Sequence, residues 1–187
     1  MKNGFTIIEL MITIMILALV VTLGVPGFSV TIKNNRLASQ YNTLISTLNF
    51  ARSESVKRND KNVTICASTD QASCSNSSDW STGWIVFVDA DNNKAVSAGE
   101  TLLRVEYGLE GGNTLSTVGF SSNTSLTFDS IGMITRTGTF VLCDDRGAEE
   151  ALAVAVNKSG QSRPAGDEDS PADSIVNDHD GDNVTCP

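Results

Sequence analysis

Three hydrophobic patterns follow one another along the chain. From Phe5 to Val25 apolar side chains run almost without interruption; only Thr6, Glu9, Thr13, Thr22 and Gly24 fall among them. As a helix rising ~1.5 Å per residue, that run spans ~31 Å, about one hydrocarbon thickness. Farther on, Leu37, Tyr41, Leu44, Ile45, Leu48, Ala51 and Val56 recur mostly at three- and four-residue spacing. Lys33, Arg36, Gln40, Asn49, Arg52 and Glu54 fall largely elsewhere, so the spacing predicts an amphipathic helix with one apolar stripe packed on a globular sheet. This helix is expected to end near Arg58-Asn59-Asp60. Pro26-Gly27 lies between the two patterns, where a missing N–H predicts a kink or a locally melted stretch.

After Asp60 the period changes to two. Candidate strands are Val63–Ala67, Trp84–Asp89, Thr101–Glu106, Leu115–Phe120, Ser125–Asp129, Phe140–Cys143 and Ala151–Val156. Turn-rich stretches separate them, such as Ser73–Asp79, Glu110-Gly111-Gly112-Asn113 and Asp144-Asp145-Arg146-Gly147. One helix followed by about seven short strands indicates an α+β domain with antiparallel sheets laid against the helix. The organisation expected is an apolar helix over residues 5–30, an amphipathic continuation over 31–60 and a β-rich domain over 61–187.

Composition narrows the function classes. Net charge is −9, from 13 Lys+Arg against 22 Asp+Glu. That balance argues against a general nucleic-acid binder, whose phosphate contacts need clustered cations. The four cysteines, Cys66, Cys74, Cys143 and Cys186, contain no C-x-x-C pair. Outside the cytosol two disulfides are the natural reading; a four-thiolate zinc site is the alternative. Of three connectivities, Cys66–Cys74 and Cys143–Cys186 are favoured, because the first pair is close in sequence and the second ties down a C-terminal tail with little else to hold it. Chain entropy assigns ~2.5 kcal/mol to the short loop and ~4 kcal/mol to the long one.

At the N-terminus, Lys2 places the residues before the apolar run in the cytoplasm and the remainder outside. A secretory signal would have a shorter apolar core and a small-x-small cleavage site; Leu23-Gly24-Val25 is a weak match. An ordinary signal anchor leaves Glu9 without a reason, since a lone carboxylate in a membrane helix needs a partner. The string Gly4-Phe5-Thr6-Ile7-Ile8-Glu9-Leu10 resembles the class III signal sequence of type IV pilins and type II secretion pseudopilins. The resemblance implies a leader over residues 1–4, cut between Gly4 and Phe5 by prepilin peptidase, and N-methylation of the new Phe5 amine. It also implies that Glu9 neutralises the Phe5 amine of a neighbouring subunit entering a filament, two buried charges tolerable only together.

Further strings are similar to the FimT/FimU/GspH group of minor pilins and pseudopilins. They are Asn34-Asn35-Arg36-Leu37, Ala51-Arg52-Ser53-Glu54-Ser55-Val56-Lys57-Arg58, Val63-Thr64-Ile65-Cys66, Trp84-Ile85-Val86-Phe87-Val88-Asp89, Leu102-Leu103-Arg104, Gly132-Met133 and Gly160-Gln161-Ser162-Arg163. Taken in order they cover most of the chain. The resemblance implies a type IV pilin-like fold, a long N-terminal helix with two β-sheets. DNA-binding members of the FimT branch resemble G-R-x-R at the last string. Here Gln161 replaces the first arginine, which leaves Lys158 and Arg163 for weak, salt-sensitive DNA contact, and a strand-edge turn is the favoured reading.

Asp89, Asp91, Asn93, Ser97 and Glu100 occupy oxygen-bearing positions of a calcium loop, but Lys94 stands where that loop wants glycine and the flanks read as strands. A polar hairpin loop is favoured over a calcium site built on Asp89, Asp91, Asn93 and Glu100. From Ala165 onward there are seven acidic residues and no Lys or Arg, read as an irregular, solvated tail that includes Asp178-His179-Asp180-Gly181-Asp182. Its single histidine has no catalytic companion. Trp80 and Trp84 read as core or hairpin packing, and the sequons at Asn62, Asn76, Asn123 and Asn183 carry no weight.

No enzymatic constellation and no cofactor motif is present. The expected function is a FimT/FimU-type minor pilin that primes assembly and caps the filament tip, with a GspH-type pseudopilin of type II secretion or a DNA-binding competence pilin as alternatives. Expected partners are other pilins, prepilin peptidase and the inner membrane, with nucleic acid bound weakly or not at all. The location follows as a single-pass inner-membrane protein with a periplasmic domain, later a pilus component.

Overall fold

The computed structural model describes residues 4–58 and 60–187, with the side chains of residues 23–27 outside the description. The leader residues Met1, Lys2 and Asn3, and Asn59 at the expected helix end, lie outside the described residues. The chain divides into one unit up to Arg36 and a second from Leu37 to Pro187.

In the first unit, helix α1 (Ile7–Lys57) begins directly after Thr6 and continues into the second unit. Apolar side chains are exposed all around its first turns: Phe5 at 83%, Ile7 at 81%, and every side chain from Ile8 to Thr22. The few hydroxyls there turn back on the helix. Thr13 Oγ1 donates to the Leu10 carbonyl (2.8 Å) and Thr22 Oγ1 to the Ala18 carbonyl (2.9 Å), so neither needs water. Among the described residues no helix is long and apolar enough to cross a membrane. The expected span Phe5–Val25 extends past Thr22, where the described side chains stop. The melted stretch expected at Pro26-Gly27 is not found, because α1 is one continuous element. A proline removes a single i→i−4 bond, and the turns on either side carry the helix through.

In the second unit eight strands form two antiparallel four-stranded sheets. The first has the order β3 (Leu102–Tyr107), β2 (Gly83–Asp89), β1 (Asn62–Ala67), β5 (Ser125–Phe128). The second has the order β4 (Thr114–Val118), β6 (Gly138–Cys143), β7 (Leu152–Val156), β8 (Ser162–Pro164). Leu37, Leu44, Leu48 and Ala51 of α1 share one core with Ile65, Trp84 and Phe128 of the first sheet and Phe140, Leu142 and Val154 of the second. Trp80 and Trp84 are each 1% exposed; Trp80 meets Phe140 edge to face at 5.1 Å and donates its indole N–H to the Asn123 carbonyl.

Val56 departs from the expected stripe. It is 49% exposed, and Ser55 is buried in its stead, its hydroxyl donating to the Arg52 carbonyl at 2.8 Å. Counting back from Ser55, the stripe steps through Ala51, Leu48 and Leu44 at the helical period, and Val56 falls one position past it.

The central strands are buried on both faces, which the period-two pattern alone does not require. On the first sheet, outward-facing Cys66, Ile85 and Phe87 are covered by Cys74 and Val96 from two loops. On the second, outward-facing Val141, Cys143 and Ala153 are covered by Ile175, Val176 and Val184 of the C-terminal segment. On each sheet one cover is fastened by a disulfide: Cys66–Cys74 with Cα atoms 5.6 Å apart, and Cys143–Cys186 at 5.9 Å. All four cysteines are thus paired, and the zinc alternative does not apply.

The C-terminal segment is irregular, as its composition indicates, but it is packed rather than solvated. Asn177 is 2% exposed and Val184 4%, and Val184 N–H donates to the Val176 carbonyl. Apolar residues spaced among the acids, Ile175, Val176 and Val184, supply the grip that charge composition conceals. Strand β8 was not expected; its three residues carry no apolar alternation, and its terminal proline is tolerated because β8 lies at a sheet edge.

Truncating the stripe tests this arrangement. Leu48→Ala is expected to cost about 2–5 kcal/mol and Val56→Ala less than about 1 kcal/mol. Urea titration of the detergent-solubilised chain, followed by tryptophan fluorescence, measures both.

Candidate functional site

The start of α1 is built by a reciprocal cap. Glu9 N–H donates to Thr6 Oγ1 (3.3 Å), while Thr6 N–H and Thr6 Oγ1 both approach Glu9 Oε2 (3.0 Å each). Leu10 N–H donates to the Thr6 carbonyl, the first helical bond. Thr6 is therefore the N-cap and Glu9 the third helical residue of a capping box. The T-x-x-E spacing signals this in the sequence, and it gives Glu9 a local role in starting its own helix. Only Oε2 is used by the cap. Among the described residues Oε1 has no partner, so one carboxylate can hold its own helix start and still accept a further donor. Gly4 and Phe5, at the expected cleavage junction, precede the cap and are exposed.

The Asp89–Glu100 loop connects β2 to β3. Asp89 is fully buried and accepts from Thr64 Oγ1 (2.8 Å), Asn93 N–H (3.0 Å) and Lys94 N–H (3.1 Å). Glu100 accepts from Ala90 N–H (2.7 Å) and Ser97 N–H (2.8 Å), closing the loop from its far end. Asp89, Asp91 and Glu100 bring one oxygen each within 4.8 Å of one another. Asn93 lies within the same loop: its amide donates to Asp91 and Ser97, and its Oδ1 accepts from Ala95 N–H. Lys94 adopts φ +61°, so lysine here takes the left-handed turn for which a calcium loop ordinarily uses glycine. Asp91 likewise accepts from Asn93 N–H (3.1 Å), so all three carboxylates have donors within the protein.

The Asp70 carboxylate organises the loop closed by Cys66–Cys74. It accepts from Ser73 Oγ (2.6 Å) and from the N–H groups of Ala72 and Ser73. The Ser73 hydroxyl, then these amides, hold its carboxyl well below the usual carboxylate range. With the folded value depressed, this contribution to stability is present above the ordinary carboxylate range and fades as pH falls below it.

Gly160 has a structural explanation. Its φ is +73°, and a Cβ there would lie 2.0 Å from the Gly132 carbonyl oxygen. Arg52 Nε donates to the carbonyls of Gly132 (3.2 Å) and Ser159 (3.1 Å), so the helix pins two loops at their point of closest approach. The turn itself is Asn157–Gly160, closed by Gly160 N–H to the Asn157 carbonyl, and Ser162–Pro164 is strand rather than turn. Arg163 pairs with Ala155 in β7 and so points away from the helix, whereas Ser162 beside it reaches Asn49 on α1. The side toward which Arg163 points is the one covered by the acidic C-terminal segment.

His179 is also accounted for by packing. Its side chain is 5% exposed, its ring fills the space beside Gly119, and its N–H donates to Thr139 Oγ1 (2.9 Å). Its ring Nδ1 lies 3.3 Å from Thr139 Oγ1, and Asp178 and Asp180 flank it.

A capped helix with apolar side chains all around its start, followed by an amphipathic half built into two antiparallel sheets, defines a type IV pilin-like subunit. Residues 40–160 match the family described as Type II transport protein GspH, and residues 1–25 match the prokaryotic N-terminal methylation motif. The chain belongs to the GspH family of minor pilins and pseudopilins. Its fold is similar to that of the type IV minor pilin FimU of Pseudomonas aeruginosa (strain PAO1), with 24% identity and a TM-score of 0.52 over 71% of this chain and 90% of that one. A second crystal form of FimU aligns at 22% identity and a TM-score of 0.51, over 68% and 91%. The minor pseudopilin EpsH of the Vibrio cholerae type 2 secretion system aligns at 10% identity and a TM-score of 0.48, over 69% and 95%. No curated protein matches the chain.

Gly160→Ala tests the packing role of that glycine. Strain at positive φ and the clash with Gly132 together are expected to cost about 3 kcal/mol. The shift in urea midpoint of the full chain checks it; a neutral result would contradict the packing role.

Proposed function

We propose that this protein is a minor pilin of a type IV pilus, a non-catalytic subunit that helps prime assembly and caps the filament tip. The observation that carries the reading is the start of α1: a collar of exposed apolar side chains interrupted by one carboxylate with a spare oxygen. Such a surface cannot remain in water. Lipid covers it while the subunit waits in the inner membrane, and neighbouring helices cover it in the filament. Prepilin peptidase cuts between Gly4 and Phe5, and the Phe5 amine is methylated. In the filament the amine of an adjacent subunit sits against Glu9 Oε1 while Oε2 keeps capping its own helix. Two charges brought together in apolar surroundings hold a specific register, because either alone is heavily penalised. The sheets, braced by their disulfides, meet partner pilins outside.

The GspH family description supports a second reading, a pseudopilin of type II secretion. Deleting the gene separates the two: loss of surface pili supports the first, and loss of exoprotein export with pili intact supports the second. A DNA-uptake role finds little support in a chain of net charge −9 whose Arg163 points toward the acidic segment.

Glu9→Ala is the direct test of assembly. Leaving the amine unpaired costs about 3 kcal/mol or more, equivalent to roughly a hundredfold loss of incorporation. Immunoblotting of sheared filaments against the membrane fraction measures it, and entry at the wild-type level would refute the pairing. Thr6→Val, which removes the hydroxyl of the cap but leaves Glu9 in place, is expected to reduce incorporation less.

A further inference from the structure

β5 is the outermost strand of the first sheet, with β1 on one side and no strand on the other. Ala67 N–H donates to the Thr124 carbonyl (3.3 Å), which fixes the alternation along β5: Thr124, Leu126 and Phe128 bond toward β1. Ser125 and Thr127 therefore turn their N–H and C=O groups to the open side. At one end of that edge the Asn123 carbonyl accepts from Trp80 Nε1 (2.7 Å); at the other, Asp129 N–H donates to the Met133 carbonyl (2.9 Å). Between these closed ends, the outward N–H and C=O groups of Ser125 and Thr127 have no hydrogen-bond partner among the described residues. A strand edge left open in this way is a template for one more strand.

This edge borders a cleft of about 290 Å³. Phe120, Leu126 and Ile134, each at most 7% exposed, supply its apolar floor. Lys94 and Arg136 also line it and are exposed, and among the described residues neither side chain has an acid partner. Lys94 is set in place by its own backbone, whose N–H is held on buried Asp89 (3.1 Å). The acid on the cleft is Asp129, and its Oδ1 already accepts from the N–H groups of Ile131 (3.0 Å) and Met133 (2.8 Å). On a chain of net charge −9, uncompensated cations beside an open strand edge select a partner that brings carboxylates.

We infer that this cleft binds an extended acidic peptide of another protein, added to β5 as an antiparallel strand. Three peptide residues suffice. The first and third exchange N–H and C=O bonds with Ser125 and Thr127, ~6.6 Å apart at a strand rise of ~3.3 Å per residue. Directly opposed side chains share a face, so the middle residue, opposite Leu126, lies on the apolar floor, and acidic side chains on its neighbours meet Lys94 and Arg136. This chain's own acidic segment is fixed on the second sheet by Val176, Val184 and Cys143–Cys186, and so is not the occupant. Such a site goes beyond the assembly role of α1 and does not depend on it.

Fluorescence anisotropy of a fluorescein-labelled peptide of alternating glutamate and valine, titrated with the full chain in detergent micelles and with empty micelles, tests the inference. Saturable binding to the protein that weakens as salt rises is expected. Lys94→Glu combined with Arg136→Glu is expected to lower the affinity about tenfold. A lysine–valine peptide is expected to bind that double variant and not the wild type, which only a folded variant can do. N-methylation of the glutamate amides, which face β5, is expected to abolish binding, whereas N-methylation of the valine amides, which face away, leaves it intact. Equal binding of the two N-methylated peptides would reduce the site to an anion contact and overturn the inference. No binding, indifference to charge reversal, or equal binding of a labelled DNA oligonucleotide would also overturn it. The assay contains no filament, so its failure leaves the Glu9 pairing standing, and failure of that pairing leaves this site standing.

Discussion

Burial of Leu37, Leu44, Leu48 and Ala51 in the core shared by both sheets fixes almost everything else in the second unit. Neither sheet closes into a barrel, so each has an inner face that must be covered, and the helix serves both at once. A fully buried leucine contributes about 1.5–3 kcal/mol, and the stripe supplies three of them. The same helix begins with apolar side chains exposed on every side, so α1 joins a one-sided stripe to an all-round apolar collar.

The remaining polar problem is solved locally. Outer sheet faces in small domains are usually left to water; here loops cover them, and a disulfide ties each cover to the strand beneath. Asp70 and Asp89 each gather several donors, converting what would be loose loops into shaped lids. At the other end of the chain, Thr13 and Thr22 hide their hydroxyls in the helix, and Glu9 caps it. Each device satisfies polar groups from within the protein.

Much of this was legible in the sequence, for identifiable reasons. The seven expected strands correspond to β1–β7 because each is a short run containing Val, Ile, Phe or Leu, bounded by turn residues. The family was legible because Gly4-Phe5 and Glu9 occupy fixed spacings that few other proteins need. Val56 was misplaced because a stripe read by three- and four-residue steps tolerates an error of one position, and a buried serine conceals the true path. The C-terminal segment was misjudged because its charges outnumber the three apolar residues that anchor it. The capping box was missed because an unusual acid invites a functional explanation before a local one. Gly160 drew attention as part of a binding motif, although its contact with Gly132 is invisible until the two loops meet in space.

The central claim is that the collar of α1 becomes filament interior only after a new amine has been made at Phe5 to face Glu9. Intact-mass and N-terminal peptide analysis of the protein recovered from sheared filaments tests this most directly. The account predicts a chain beginning at N-methylated Phe5. A chain in the same filaments that still begins at Met1 would contradict it.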